Sequence, residues 1–140
     1  MAYDVTPGRI QTAARILVVD DEDSVRRMLA TWLRLWARDV IDVNSAEAAL
    51  RAMEANPADI LLIDLIMPVR SGRWLIERVR ERWPLAAIIA QSGTIEETVI
   101  ASAMHAGAIA FLPKPFTREM LYQALEQALG SITPLRSAAS

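Results

Sequence analysis

Short apolar runs that each stop on a polar residue punctuate this chain. Ile16-Leu17-Val18-Val19 ends at Asp20-Asp21-Glu22, and Ile60-Leu61-Leu62-Ile63 ends at Asp64. Residues 86–90 end at Gln91-Ser92-Gly93, and Ile109-Ala110-Phe111-Leu112 runs into Pro113-Lys114-Pro115-Phe116. Continuous apolar runs of this length, rich in β-branched types, read as strands buried on both faces, the habit of a parallel sheet. Val40-Ile41-Asp42-Val43 is shorter and more polar, the pattern of a strand at a sheet edge.

Between these runs the spacing changes to three and four residues, the period of a helix with one apolar stripe. Val25, Met28, Leu29, Trp32, Leu33 and Trp36 form one such stripe, with Asp23 predicted as its cap. Ser45 caps a helix carrying Leu50 and Met53, ended by Asn56-Pro57. Leu75, Ile76, Val79 and Trp83 mark a third helix, with Trp74 off the stripe at a packed edge. Thr94 and Glu97 have capping-box spacing, which starts a fourth helix that reaches about His105, a surface histidine, before Gly107. Thr117 caps a fifth, with Leu121, Leu125, Ala128 and Leu129 inward and Gly130 as its stop. Alternating strands and helices predict a doubly wound α/β domain over residues 15–130. Residues 1–14 are expected as a flexible lead-in and 131–140 as a tail or linker stump.

Composition narrows the function. The 140 residues hold 53% hydrophobic residues and no cysteine, so thiolate metal sites, disulfides and cysteine nucleophiles are excluded. A net charge of −2 offers no long-range attraction to nucleic acid or an anionic membrane. No apolar run approaches the ~20 residues of a bilayer span, and the first residues lack a secretion signal. A cytoplasmic protein is expected.

The polar residues that end the strands carry the chemistry. An ionised Asp64 cannot sit in a dry core, and parallel sheets place ligand sites beyond the carboxyl ends of their strands. Taken singly, each group has a plain reading: Asp64 as a turn residue, the acidic triplet as helix capping, Lys114 as a solvated cation, Ser92 as neutral. Taken together, Asp20, Asp21, Asp64, Ser92 and Lys114 occupy the same end of their strands and would share one cleft. Crowded carboxylates there call for a hard cation with oxygen ligands, which fits magnesium.

The segments Ile16-Leu17-Val18-Val19-Asp20-Asp21-Glu22, Asp64-Leu65-Ile66-Met67-Pro68 with Gly72, residues 88–93, and Gly107-Ala108 through Phe111-Leu112-Pro113-Lys114-Pro115-Phe116 resemble the receiver domain of two-component response regulators. The resemblance runs from about Arg15 to Leu129. It implies a flavodoxin-like fold with strand order 2-1-3-4-5, Asp64 as phosphoacceptor, and Asp20 and Asp21 with Asp64 as Mg2+ ligands, Mn2+ being a substitute. The backbone carbonyl of Ile66 would complete the protein ligands. Lys114 would contact the phosphoryl group, and Ser92 and Phe111 would be the switch residues. A cis Lys114–Pro115 bond is also implied.

The implied function is a signalling switch, not an enzyme beyond its own phosphorylation and slow dephosphorylation. Its donor would be a histidine kinase or phosphotransfer protein. Its output would be a partner or a linked domain, read from the surface of the fourth helix, fifth strand and fifth helix, which is also where a homodimer would form. Three departures from the family pattern stand out: Ala37-Arg38 where the first helix usually ends in glycine, apolar Ile66 two residues past Asp64, and Phe111 in place of tyrosine. Phe111, with no hydroxyl to satisfy, is expected to turn inward. Two rivals remain: a magnesium-dependent aspartyl phosphatase, opposed by Ile66 where such enzymes place a second acid, and a non-phosphorylated interaction module.

Overall fold

The computed structural model describes residues 10–136. Five strands, β1 (Thr12–Val19), β2 (Ala37–Val43), β3 (Ile60–Asp64), β4 (Ala87–Ser92) and β5 (Ala110–Pro113), alternate with five helices: α1 (Asp23–Leu33), α2 (Ala46–Ala55), α3 (Gly72–Arg82), α4 (Glu97–Ala106) and α5 (Arg118–Arg136). All strand pairs are parallel, in the order β2-β1-β3-β4-β5. This is the flavodoxin-like arrangement that the sequence implies, with β2 at an edge.

Strand alternation divides the core in two. Ile16, Val18, Ile60, Leu62, Ile89 and Leu112 pack with Leu29 and Leu33 of α1 and Leu121 and Leu125 of α5. Leu17, Val19, Leu61, Ile63, Ile88 and Ala90 pack on the other face with Met53 of α2, Leu75, Ile76 and Val79 of α3, and Ala103 of α4. All five residues of β3 are buried, and each of its aliphatic side chains contributes roughly 1.5–3 kcal/mol by leaving water. The middle strand is therefore firmly held, and it delivers Asp64 to the sheet's carboxyl edge.

Several boundaries differ from the sequence-based expectation. β1 begins at Thr12, inside the expected lead-in, because its first residues pair with β2 (Thr12 with Ala37) across a register irregularity. That pairing also draws β2 back to Ala37. Helix α1 closes without a glycine through i→i−3 bonds, Leu35 N to Trp32 O at 3.0 Å and Trp36 N to Leu33 O at 2.9 Å. Trp36 consequently lies beyond the helix, though still buried, and Met28 is exposed. Gly130 does not stop α5, which continues to Arg136. A helical glycine costs only about 1 kcal/mol, and burial of Ile132 in the same cluster as Trp36 favours continuation. Of the expected tail, 131–136 is thus helix, and 137–140, like residues 1–9 of the lead-in, lies outside the described residues.

Caps follow the sequence in part. Ser45 and Thr117 accept amide protons from Ala48 and Met120, both at 3.1 Å, and Gly107 ends α4 with φ 133°. Asp23 does not cap α1. Glu22 holds that position without a side-chain bond, while Asp23 pairs with Arg26 at 2.7 Å. The Thr94–Glu97 capping box does not form either. Ser92 Oγ accepts the Thr94 amide and Thr94 Oγ1 accepts the Glu96 amide, both at 3.2 Å, so two successive turns delay α4 to Glu97.

Gly72 joins the loop after β3 to α3. Its amide donates to Leu65 O at 3.0 Å, and a Cβ there would overlap the Asp64 carbonyl and lie 2.6 Å from Leu65 Cα. Both obstacles are backbone and cannot rotate away. Gly72→Ala is expected to lower unfolding stability by about 1–3 kcal/mol, read from the urea midpoint; a midpoint matching wild type would show that this junction yields.

Candidate functional site

Asp20 follows β1 and is fully buried, whereas Asp21 beside it is exposed. Asp20 Oδ1 accepts the Glu22 amide at 2.9 Å. Its Oδ2 accepts Lys114 Nζ at 3.1 Å and Gln91 Nε2 at 3.3 Å. The buried Arg26 fixes the chain here from behind: Nη1 donates to Asp20 O at 3.0 Å, Nε to Asp42 at 2.9 Å and Nη2 to Asp23 at 2.7 Å. Burial alone would pull the Arg26 guanidinium down, but bonds to Asp23 and Asp42 outweigh it and raise its pKa. The start of α1 is thereby tied to the strands that carry the site.

Asp64 ends β3 almost fully buried, its Oδ1 accepting the Ile66 amide at 3.2 Å. Lys114 follows β5 after a backbone bond to Ser92 O at 2.8 Å, and its bond to Pro115 is cis, as the resemblance implies. Its Nζ lies 3.4 Å from Asp64 Oδ2 and 3.9 Å from Glu22 Oε1. One ammonium therefore serves two buried carboxylates. Asp20, Asp21 and Asp64 can each direct one oxygen to a common point, with those oxygens within 4.8 Å of one another. Three hard oxygen donors facing a single cation fit magnesium, which commonly takes few carboxylates and keeps waters. Among the described residues the buried Gln91 Oε1 has no hydrogen-bond partner, which also suits a hydrated ion close by.

The structure brings Asp20, Asp21, Asp64 and Lys114 together directly. Ser92 is also at this edge, on the strand next to Asp64, but fully buried with Oγ taken by the Thr94 amide. Alternation separates it from the others: Asp64 and Gln91 are in register, so Ser92 belongs to the α3–α4 side. Phe111 shares that side, half-buried and packed against its core. The expected inward turn is therefore incomplete. Ile66 is 61% exposed at the rim of the acidic cluster. Val69, in the same loop, is 91% exposed with φ 69°, a left-handed backbone that costs a β-branched residue roughly 1–2 kcal/mol. Gln91 and Arg26 were not singled out from the sequence. For Gln91 the signal was its parity with Ile89 and Ala87, on the face that Asp64 shares.

Burial sets the electrostatics. It raises the Asp64 carboxyl from 3.8 to about 6, with Lys114 opposing and Asp20 adding to the rise. For Lys114, burial pulls downward, but Asp64 and Asp20 together raise its pKa. Because the folded pKa of Asp64 lies above its unfolded one, this group's contribution to stability is full below 3.8 and is lost as pH climbs through about 6. Asp64→Asn is therefore expected to stabilise the metal-free protein near neutral pH by on the order of 1–2 kcal/mol, with the gain vanishing in acid. Thermal melts across that range test it, and a gain independent of pH would contradict this origin.

Comparison with known proteins agrees with this geometry. The response regulator receiver domain profile matches residues 16–126. The chain is 32% identical over 123 residues to the DNA-binding transcriptional regulator NtrC of Azospirillum brasilense, covering 88% of this chain but only 26% of that protein. It is likewise 32% identical over 124 residues to chemotaxis protein CheY1 of Helicobacter pylori, covering 84% and 98%. The chain thus spans about a quarter of the transcriptional regulators it matches and nearly all of the chemotaxis protein. Among solved structures, Vibrio cholerae CheY4 superposes with TM-score 0.79 at 26% identity, covering 84% of this chain and 100% of that one. NtrX from Brucella abortus gives 0.83 at 27%, covering 91% and 30%. With that match over most of its length, and the acidic cluster at the carboxyl edge of the expected sheet, the chain belongs to the receiver domain family of two-component response regulators.

Proposed function

We propose that this receiver is a phosphorylation-dependent switch whose phosphoacceptor is Asp64. The observation that carries the reading is the buried Asp64 carboxylate at the end of the central strand, 3.4 Å from the Lys114 ammonium and grouped with Asp20 and Asp21. A histidine kinase or phosphotransfer protein supplies a phosphohistidine. An Asp64 oxygen attacks phosphorus in line, the P–N bond breaks, and the imidazole keeps the electron pair and takes a proton from solvent. Asp20, Asp21, Asp64 and the Ile66 carbonyl would hold Mg2+, or Mn2+ in its place, which when bound offsets charge on the phosphoryl oxygens. Lys114 leaves its shared position between Asp20 and Asp64 to pair with one of those oxygens.

The product adds close to two negative charges at neutral pH. Ser92 exchanges its Thr94 partner for a phosphoryl oxygen, and the half-buried Phe111 completes its turn inward. Both lie on the α4 side of the sheet, so the change biases the α4–β5–α5 surface, where a partner, a linked output domain or a second copy reads it. No helix among the described residues is long and apolar enough to cross a membrane, which supports a cytoplasmic setting. The chain promotes only its own phosphorylation and slow hydrolysis.

Incubation with acetyl phosphate and Mg2+ is expected to add one acid-labile phosphoryl group, detected by intact mass and lost in Asp64→Asn. A wild-type chain that stays unlabelled would defeat the reading. Ile66, exposed beside Asp64, is expected to screen the acyl phosphate from water. Ile66→Asn should then lose phosphate several-fold faster than wild type; an equal or slower rate rejects the screening role.

A further inference from the structure

We propose that Gln91 is a positioning residue that holds Asp20 in its metal-binding orientation. This rests on the receiver reading above and adds a residue to its site. Gln91 is fully buried in β4, and its Cα is in register with Asp64. The earlier residues of the same strand on this face, Ile89 and Ala87, are apolar. A primary amide is an expensive occupant of such a place. Its Oε1 has no hydrogen-bond partner among the described residues, and a buried acceptor left unsatisfied is destabilising. An apolar side chain of similar size would avoid that cost, so a role in packing does not account for the amide.

The donor end accounts for it. Gln91 Nε2 donates to Asp20 Oδ2 at 3.3 Å, the oxygen that Lys114 Nζ also contacts at 3.1 Å. The two donors are not equivalent. Lys114 divides its charge between Asp20, Asp64 at 3.4 Å and Glu22 at 3.9 Å, and it must turn away when a phosphoryl group arrives. Gln91 is neutral, sits on a buried strand, and among the described residues its side chain bonds Asp20 alone. It keeps the carboxylate aimed after Lys114 departs, without adding a charge that would repel a cation. Outer donors of this kind orient ligands and set metal affinity. Asp20 Oδ1, held by the Glu22 amide at 2.9 Å, is fixed from the other side.

Calorimetric titration of Mg2+ into the metal-free full chain tests this, with melting temperatures measured on the same samples. Wild type should bind one ion. Gln91→Met, which keeps the bulk but not the donor, should bind it about 10-fold more weakly or worse. Its metal-free melting temperature should stay close to that of wild type, because the donor lost to Asp20 and the orphan acceptor removed oppose each other. Gln91→Leu repeats the comparison if Gln91→Met does not fold. A loss of affinity below about threefold, a loss that comes only with a lower metal-free melting temperature, or failure of both variants to fold would overturn the proposal and leave Gln91 a core residue. A wild-type chain that binds no Mg2+ would instead sink the receiver chemistry itself, and this inference with it.

Discussion

Crowding of like charge at the carboxyl edge of the sheet is the constraint on which the rest depends. Three carboxylates converge within 4.8 Å, and Lys114 Nζ is shared between the two buried ones. At an effective dielectric of 20, two unit charges 4 Å apart interact by about 4 kcal/mol, comparable with a large part of a domain's net stability. Burial pushes the pKa of Asp64 up, and the neighbouring Asp20 adds to the rise while Lys114 opposes it. Such a site gains from any arriving cation, and from any change that gives Lys114 a more highly charged partner. Receptivity to a cation is built into the fold.

The scaffold must hold that tension without relaxing. Burial of every β3 residue keeps Asp64 from retreating. The backbone contact at Gly72 fixes the loop after it, and Arg26 ties the Asp20 carbonyl to β2 and the first turn of α1. Strand alternation then divides the labour. Asp64, Gln91 and Lys114 continue the parity of the α1–α5 face, whereas Ser92 and Phe111 belong to the α3–α4 face. In the proposed switch, chemistry falls on one side of the sheet's edge and its consequences on the other, so no long path is required between them.

The same domain accounts for nearly all of the Helicobacter pylori chemotaxis protein and about a quarter of NtrC. Receiver domains thus occur both nearly alone and as a small part of a much longer chain. In this chain α5 runs past Gly130 and buries Ile132 in the same cluster as Trp36.

Local chemistry determined the parts that the sequence reveals. Four-residue apolar runs had nowhere to go but a buried sheet, Ser45 and Thr117 could satisfy their own helix amides, and Gly107 could adopt a conformation closed to other residues. Asp20, Asp21, Asp64, Ser92 and Lys114 were legible because each interrupts an apolar run at the same end. What failed was decided by competing partners, some a turn away and some distant in the chain. Asp23 faced a stronger claim from Arg26, Thr94 was committed to the turns after Ser92, and the strand at Thr12 and the helix past Gly130 persisted because β2 and the Trp36 cluster rewarded them. Gln91 belongs with these: seventy-one residues from Asp20 in sequence, it becomes a donor to it only when β4 comes to lie beside β3. Burial and periodicity act along the chain and can be read from it, whereas competition for hydrogen bonds and charge is settled only by what the folded sheet brings within reach.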